Sequence, residues 1–267
     1  MGNSRTARAT ETAAIAHALG IGYRLFDTAE MYGDGGAEKI LGEALQEAGR
    51  NTGAARSEVF IVSKVLPNHA SRAGVVRACE ASLARLRCAY LDLYLLHWRG
   101  SFDFIDTLRG LAELRERGLI RHFGVSNFDE SDLAEWLQAE RSLDLAGSTQ
   151  CNQIYYSLDK RAVEFHQLGW QRQRAIATMA YSPLGQGALV DHPVLREIAR
   201  ARALTAAQVA LAWAIRGGDV VAIPKSVHPE RITENLAAEQ VTLGAAELAR
   251  LDQAFPPPRS RQPLPMA

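Results

Sequence analysis

The sequence predicts an α/β fold of the (β/α)8 TIM-barrel type, with seven strands where a closed barrel has eight. Three observations predict it. Short apolar stretches recur around Phe26, Ile61, Tyr94, Phe123, Cys151, Thr178 and Val221, and each is followed by a helical pattern. The chain has 267 residues, the length of one such domain, for which about 250 suffice. The first three stretches end in Asp27, Lys64 and His97. Parallel strands joined by helices gather their C-terminal ends at one mouth, so these residues are candidates for a single site.

Residues 10–19 read as a first helix, with Ala13, Ala14, Ala18 and Leu19 on or near one face and Gly20 at its end. Tyr23-Arg24-Leu25-Phe26-Asp27 is a strand with a terminal acid, and Thr28-Ala29-Glu30-Met31-Tyr32-Gly33 is a turn carrying a tyrosine. Residues 37–48 form the next helix, with Ile40, Leu41, Ala44, Leu45 and Ala48 in one stripe. A polar link over 50–57 leads to the strand ending at Lys64. Ser71 caps a helix reaching about Arg87. After the strand ending at His97, a helix spans 104–117 and stops at Gly118.

The strand 122–126 leads through Asn127-Phe128-Asp129 to a helix ending near Ala139. The strand 149–154 ends in polar Asn152 and Gln153, where a purely structural strand would stay apolar. Residues 160–174 read as helical with an interruption at Gly169, 175–181 as a strand, and 182–187 as a turn-rich loop. Helices over 193–202 and 206–216 follow, the second opened by a capping box from Thr205 to Gln208. After the strand 220–224, Pro229 sits in the first turn of a helix containing Arg231 and Asn235. A helix over 245–254 precedes a Pro-rich tail, 256–267. The whole chain, 1–267, reads as a single domain.

Thirty basic residues balance 30 acidic ones, so there is no electrostatic footprint for nucleic acid. Only Lys39, Lys64, Lys160 and Lys225 are lysine, which makes the two that stand at strand ends informative. Cys79, Cys88 and Cys151 form no C-x-x-C pair, which points to a reducing compartment and no metal knuckle. No stretch approaches the ~18 apolar residues of a membrane span, and no signal-peptide pattern opens the chain. A cytoplasmic location is therefore expected; a monomer is expected as well. Residues 1–6 match a loose acylation pattern short enough to arise by chance.

Asp, Tyr, Lys and His together make one chemical proposal. A phenol titrates near about 10 and is a poor proton donor to a carbonyl at neutral pH. A neighbouring ammonium stabilises the phenolate, and a carboxylate beside the ammonium holds it in place. Tyr32 is then the general acid, Lys64 its tuner, Asp27 the lysine's partner, and His97 the group that orients the carbonyl. An electrophilic carbon so prepared needs a nucleophile, and a bound hydride donor fits best. Each residue also has a plainer reading. Asp27 could be a helix cap, Tyr32 surface packing, and His97 a satisfied core histidine. Lys64 is harder to explain away, being the only charge at the end of an apolar strand.

The chain resembles the aldo-keto reductases in the order and spacing of separated motifs. They are Phe26-Asp27-Thr28-Ala29 with Tyr32-Gly33, Lys64, Leu95-Leu96-His97-Trp98, Gly124-Val125-Ser126-Asn127 and Asn152-Gln153. Tyr181-Ser182-Pro183-Leu184 and Ile223-Pro224-Lys225-Ser226 through Arg231-Ile232-Thr233-Glu234-Asn235 complete the set. The resemblance covers about residues 10–256 and is nearest to the short bacterial diketogluconate and methylglyoxal reductase type.

The resemblance implies an NADP-dependent oxidoreductase acting on small aldehydes or ketones, with Asp27, Tyr32, Lys64 and His97 as the catalytic tetrad. It implies that Ser126, Asn127 and Gln153 hold the nicotinamide carboxamide, that Tyr181 stacks on the ring, and that Ser182, Leu184 and Gln186 pass the pyrophosphate. Lys225, Ser226 and Arg231 would grip the 2′-phosphate of NADPH, with Glu234 and Asn235 at the adenine. The residues support part of this on their own, since two cations flanking a helix start make a reasonable phosphate seat. Met31, Leu66 and Trp98 would line a partly apolar substrate pocket. Arg99 stands where the family commonly has proline and could place a cation at the rim.

Other classes fit less well. A metal-dependent hydrolase needs ligand clusters, and no His-x-His follows any strand. An isomerase has no need of a phosphate seat, and a cofactor-binding regulatory protein of this fold is the non-enzyme alternative. The strand that opens such a barrel is missing. Residues 1–9 contain no apolar run, so the expectation is seven strands and a natural chain that begins further upstream.

Overall fold

The computed structural model describes residues 5–52 and 56–266. Residues 1–4 of the acylation pattern and 53–55 of the polar link lie outside them. The chain divides into two compact units, Met1–Ser126 with Ser131–Gln150, and Asn127–Glu130 with Cys151–Ala267.

The first unit runs α1 (Arg5–Ile21), β1 (Leu25–Asp27), α2 (Gly36–Thr52), β2 (Phe60–Val65), α3 (Arg72–Leu86), β3 (Leu91–Leu96), α4 (Phe104–Glu116), β4 (Ile120–Ser126) and α5 (Glu130–Ser142). Its strands lie side by side in chain order and pair in parallel, with Asp27 opposite Val62 and Lys64 opposite Leu95. Every residue of β3 is buried, as expected of a parallel strand covered on both faces. Its one charge, Asp92, is satisfied by Arg56 at 2.7 Å and the Ile61 N–H at 2.9 Å.

Helix ends follow the capping signals. The Ser71 hydroxyl accepts from the Gly74 N–H at 3.2 Å, and Arg87 closes α3 at φ 52°. The first helix begins at Arg5 rather than at residue 10. The added turn has weak apolar periodicity but consists largely of Arg and Ala, both strong helix formers.

The second unit carries β5 (Thr149–Tyr155) from Cys151 onward, then α6 (Gln167–Arg172), β6 (Ala177–Tyr181), α7 (Pro193–Ala201), α8 (Ala206–Ile215), β7 (Val220–Ala222), α9 (Pro229–Ala237) and α10 (Ala245–Ala254). β5, β6 and β7 pair in parallel, again in chain order. The core packs around Trp213, Tyr156, Val209 and Leu251. Arg161 and Arg216 lie over the Trp213 ring at 4.9 and 4.0 Å. The capping box of α8 is present in both directions, at 3.2 and 2.9 Å. The expected interruption at Gly169 is not there. Gly169 lies inside α6, and the break falls at His166, whose φ of −150° leaves the helical region.

Among the described residues there are seven strands alternating with helices, which is the predicted α/β class and strand number. β1 and β7 are the shortest, at three residues each. No helix of the described residues is long and apolar enough to cross a membrane.

Candidate active site

The first unit brings the four predicted catalytic residues together. Lys64 is fully buried, and its ammonium donates to Asp27 Oδ2 at 2.6 Å, to the Thr28 carbonyl at 2.8 Å and to Tyr32 Oη at 3.3 Å. Three donors thus meet three acceptors, which fixes the charge and leaves the Tyr32 O–H to donate elsewhere. The His97 ring meets Tyr32 edge-on, with centroids 5.8 Å apart, and packs on Trp98 at 4.8 Å.

Local sequence explains how the tyrosine is held. The turn after β1 uses left-handed backbone at Gly33, Asp34 and Gly35, residue types that accept positive φ cheaply. The Tyr32 N–H donates to Ala29 O at 3.1 Å, and Tyr32 O accepts from Ala37 N at 3.1 Å, joining the turn to the start of α2.

Electrostatics keep Lys64 charged. Burial by itself pulls an ammonium down, but Asp27 and then Tyr32 outweigh it and hold Lys64 above its ordinary value. His97 goes the other way. Burial, helped by the Lys64 charge, pushes it down to about 3, so at neutral pH it is an uncharged imidazole able to donate one N–H.

This has a consequence for stability. Between pH 6.5 and about 3 the unfolded chain binds a proton at this histidine that the folded chain refuses, so stability falls as pH falls through that window. Relative to His97→Asn, urea unfolding of the wild type should lose up to ~1.4 kcal/mol per pH unit there. Parallel curves would show that His97 is not held neutral.

Ser126 is buried at the end of β4. In the second unit Asn127 takes the left-handed conformation, φ 57°, which asparagine tolerates better than most residues. Its N–H donates to Gln153 O at 2.9 Å, and Tyr181 Oη donates to its Oδ1 at 2.8 Å. Three of the predicted nicotinamide residues are therefore tied to one another. Ser182 and Gln186 also have positive φ, and the Gly185 and Gly187 N–H groups bond back to Ser182 O and Leu184 O. Lys225 and Arg231 flank the start of α9, both exposed, and neither pairs with a carboxylate among the described residues. The Ser226 hydroxyl accepts from the His228 N–H at 3.1 Å, and Glu234 and Asn235 follow on α9, half-buried.

Of the residues predicted to line the substrate pocket, Met31 is exposed and Leu66 and Trp98 are half-buried. Arg99 has its charge already balanced. It donates to Asp132 at 2.8 Å and Glu135 at 2.7 Å, and lies 4.7 Å over the Phe104 ring.

Sequence reasoning missed several residues behind the site. Glu30 accepts from the Leu66 N–H at 2.6 Å and approaches His69 at 3.0 Å. Glu38 is fully buried, and Asn152, Gln167 and Gln171 form an amide chain ending on Thr178. The polar ending of the β5 strand was the one signal pointing toward that chain.

A buried lysine is thus held between a carboxylate and a phenol at the end of parallel strands. Comparison with known proteins gives the class of protein. The Aldo/keto reductase family profile matches residues 1–255, and the chain belongs to that family, making it an oxidoreductase. It is 45% identical to Methylglyoxal reductase YeaE of Escherichia coli (strain K12), covering 100% of this chain and 92% of that protein. It is 36% identical to Glyoxal reductase of Bacillus subtilis (strain 168), covering 90% and 82%. An aldo-keto reductase from Klebsiella pneumoniae, solved in complex with NADPH, superposes with a TM-score of 0.92 at 40% identity, covering 100% of this chain and 92% of that one.

Proposed function

We propose that this chain reduces small aldehydes and ketones with NADPH, 2-oxoaldehydes being the best-supported substrates, and that Tyr32 delivers the proton. The observation that carries the reading is the Lys64 ammonium, buried and bonded at once to Asp27 and to Tyr32 Oη. When bound, NADPH supplies the hydride. Neutral His97 donates an N–H that orients the carbonyl oxygen beside Tyr32. As negative charge grows on that oxygen the Tyr32 O–H passes its proton over, and the Lys64 charge stabilises the phenolate left behind.

The residues present fit the cofactor. Lys225 and Arg231 are cations without carboxylate partners among the described residues, placed at a helix start, and they suit a phosphate. Ser226 would join them there, with Glu234 and Asn235 toward the adenine. Ser126, Asn127 and Gln153 would hold the carboxamide beside the Tyr181 ring, and Ser182, Leu184 and Gln186 would follow the pyrophosphate. Met31, Leu66 and Trp98 give the substrate a partly apolar wall. Arg99, balanced by two acids, favours neutral carbonyls over acidic ones. The names of the methylglyoxal and glyoxal reductases support the same choice. No step needs a second copy, and the chain is proposed to work as a cytoplasmic monomer.

The test is loss of NADPH absorbance with a panel of small aldehydes, ketoses and 2-oxoaldehydes. Turnover highest on 2-oxoaldehydes is expected, and no turnover on any carbonyl would reject the reading. Cofactor choice is tested separately. Replacing Lys225 and Arg231 with Ala should weaken NADPH binding by about tenfold or more per residue while NADH binding changes little, since charge-assisted bonds are worth ~1.5–3 kcal/mol. Fluorescence titration showing equal losses for both cofactors would rule out the phosphate seat.

A further inference from the structure

Glu38 has no role in the chemistry above, yet it is a fully buried carboxylate. Leaving water is costly for a carboxylate, and such a group persists only where partners fix it. Its partners are specific. Oε1 accepts from the Ser63 hydroxyl at 2.6 Å, and Oε2 accepts from Arg85 Nε at 2.5 Å. Arg85 also donates to Ser82 at 3.1 Å, so the cation is held to its own helix, α3, while its carboxylate partner stands on α2.

The position of this pair links two catalytic residues. Ser63 immediately precedes Lys64 in β2, and successive strand residues point to opposite faces. Glu38 therefore grips the strand from the helix side at the point where Lys64 leaves on the other. Glu38 also stands in the first turn of α2, and that turn is joined to the tyrosine through the Ala37 N–H bond to Tyr32 O. Arg85 also packs closely on Gly35, the residue just before that helix begins. A Cβ on Gly35 would lie 2.5 Å from Arg85 Cδ, at a backbone φ of +76°. Further along, a Cβ on Gly42 would meet the Leu86 carbonyl at 2.5 Å, so α2 and α3 have no slack between them.

We propose that Glu38, with Ser63 and Arg85, is a positioning brace that sets the separation of Tyr32 Oη and Lys64 Nζ. Of the three bonds that Lys64 makes, the one to Tyr32 is the longest, at 3.3 Å. A further shift of a few tenths of an ångström takes it outside hydrogen-bonding range. The bonds to Asp27 and Thr28 O would survive such a shift. The brace thus protects the one lysine contact that bears on proton transfer.

This inference rests on the proposed reading of Tyr32 as the proton donor, and the experiment separates the two. The variants are Ser63→Ala, Ser63→Thr, Glu38→Gln and Tyr32→Phe, each measured for kcat, KM, NADPH affinity and melting temperature. Ser63→Ala keeps the ion pair and should fold, so it decides the matter even if Glu38→Gln does not fold. Small displacements of catalytic groups are expensive, so kcat should fall about tenfold or more in Ser63→Ala, with KM and NADPH affinity within about threefold of wild type. Ser63→Thr, which restores the hydroxyl, should recover most of kcat. A merely structural bond would lower the melting temperature and leave kcat alone. If folded Ser63→Ala keeps wild-type kcat while Tyr32→Phe is inactive, the brace is refuted and the acid assignment stands. If Tyr32→Phe turns over normally, the acid assignment fails and the brace fails with it.

Discussion

Tyr32→Phe should leave the chain folded and able to bind NADPH while kcat for carbonyl reduction falls about 10²–10⁴-fold, the usual worth of a positioned acid. The variant removes one oxygen and keeps the ring that meets His97 edge-on. The Lys64 ammonium would lose its longest bond and keep those to Asp27 and Thr28 O, so the buried charge stays paired. Stability should therefore change little, and the loss should lie in kcat rather than KM. Rapid-mixing measurement of the first turnover, with NADPH already bound, isolates the chemical step. A first-turnover rate within a few-fold of wild type would remove Tyr32 from the reaction and pass the role to His97 or water.

Lys64→Met should lose as much activity and should also destabilise the fold. Methionine fills similar volume, but Asp27, whose side chain is only 10% exposed, is left without its cation. Breaking a buried pair by removing one partner costs about 3–5 kcal/mol. Urea unfolding should show that loss. Kinetics carry the sharper test, because groups that act as a unit are not additive. Lys64→Met combined with Tyr32→Phe should be scarcely slower than Tyr32→Phe alone. Losses that multiply would mean that the lysine acts on something other than the phenol.

The proposed catalytic residues were legible because the charged ones break a local rule. A lysine closing Phe-Ile-Val-Ser, or an acid closing a short apolar strand, conflicts with burial unless something nearby answers it, and here each answers the other. The capping signals at Ser71, Thr205 and Pro229 were legible for the same local reason. Glu38 was not. An acid in the first turn of a helix reads as an ordinary solvated residue, and its burial depends on Arg85, which is 47 positions away. Glu30 hides similarly, bonded to a backbone N–H 36 positions away. For Arg99 the sequence offered a possible rim cation beside an ordinary solvent-facing arginine, and the two acids that balance it lie 33 and 36 residues on, in α5. The helix break at His166 rather than Gly169 shows the limit of propensity, since packing around α6 accommodates a glycine that composition marks as a breaker.

The central claim is that this chain moves a hydride from NADPH to a carbonyl carbon while the protein moves only a proton. NADPH deuterated at C4 of the nicotinamide, on the transferred face, tests it most directly with a 2-oxoaldehyde as substrate in ordinary water. One deuterium is expected on the new alcohol carbon for each NADPH consumed, with an unlabelled hydroxyl. Product whose carbon-bound hydrogen comes from solvent, with NADPH unconsumed, would contradict it and mark the chain as a proton-transfer isomerase.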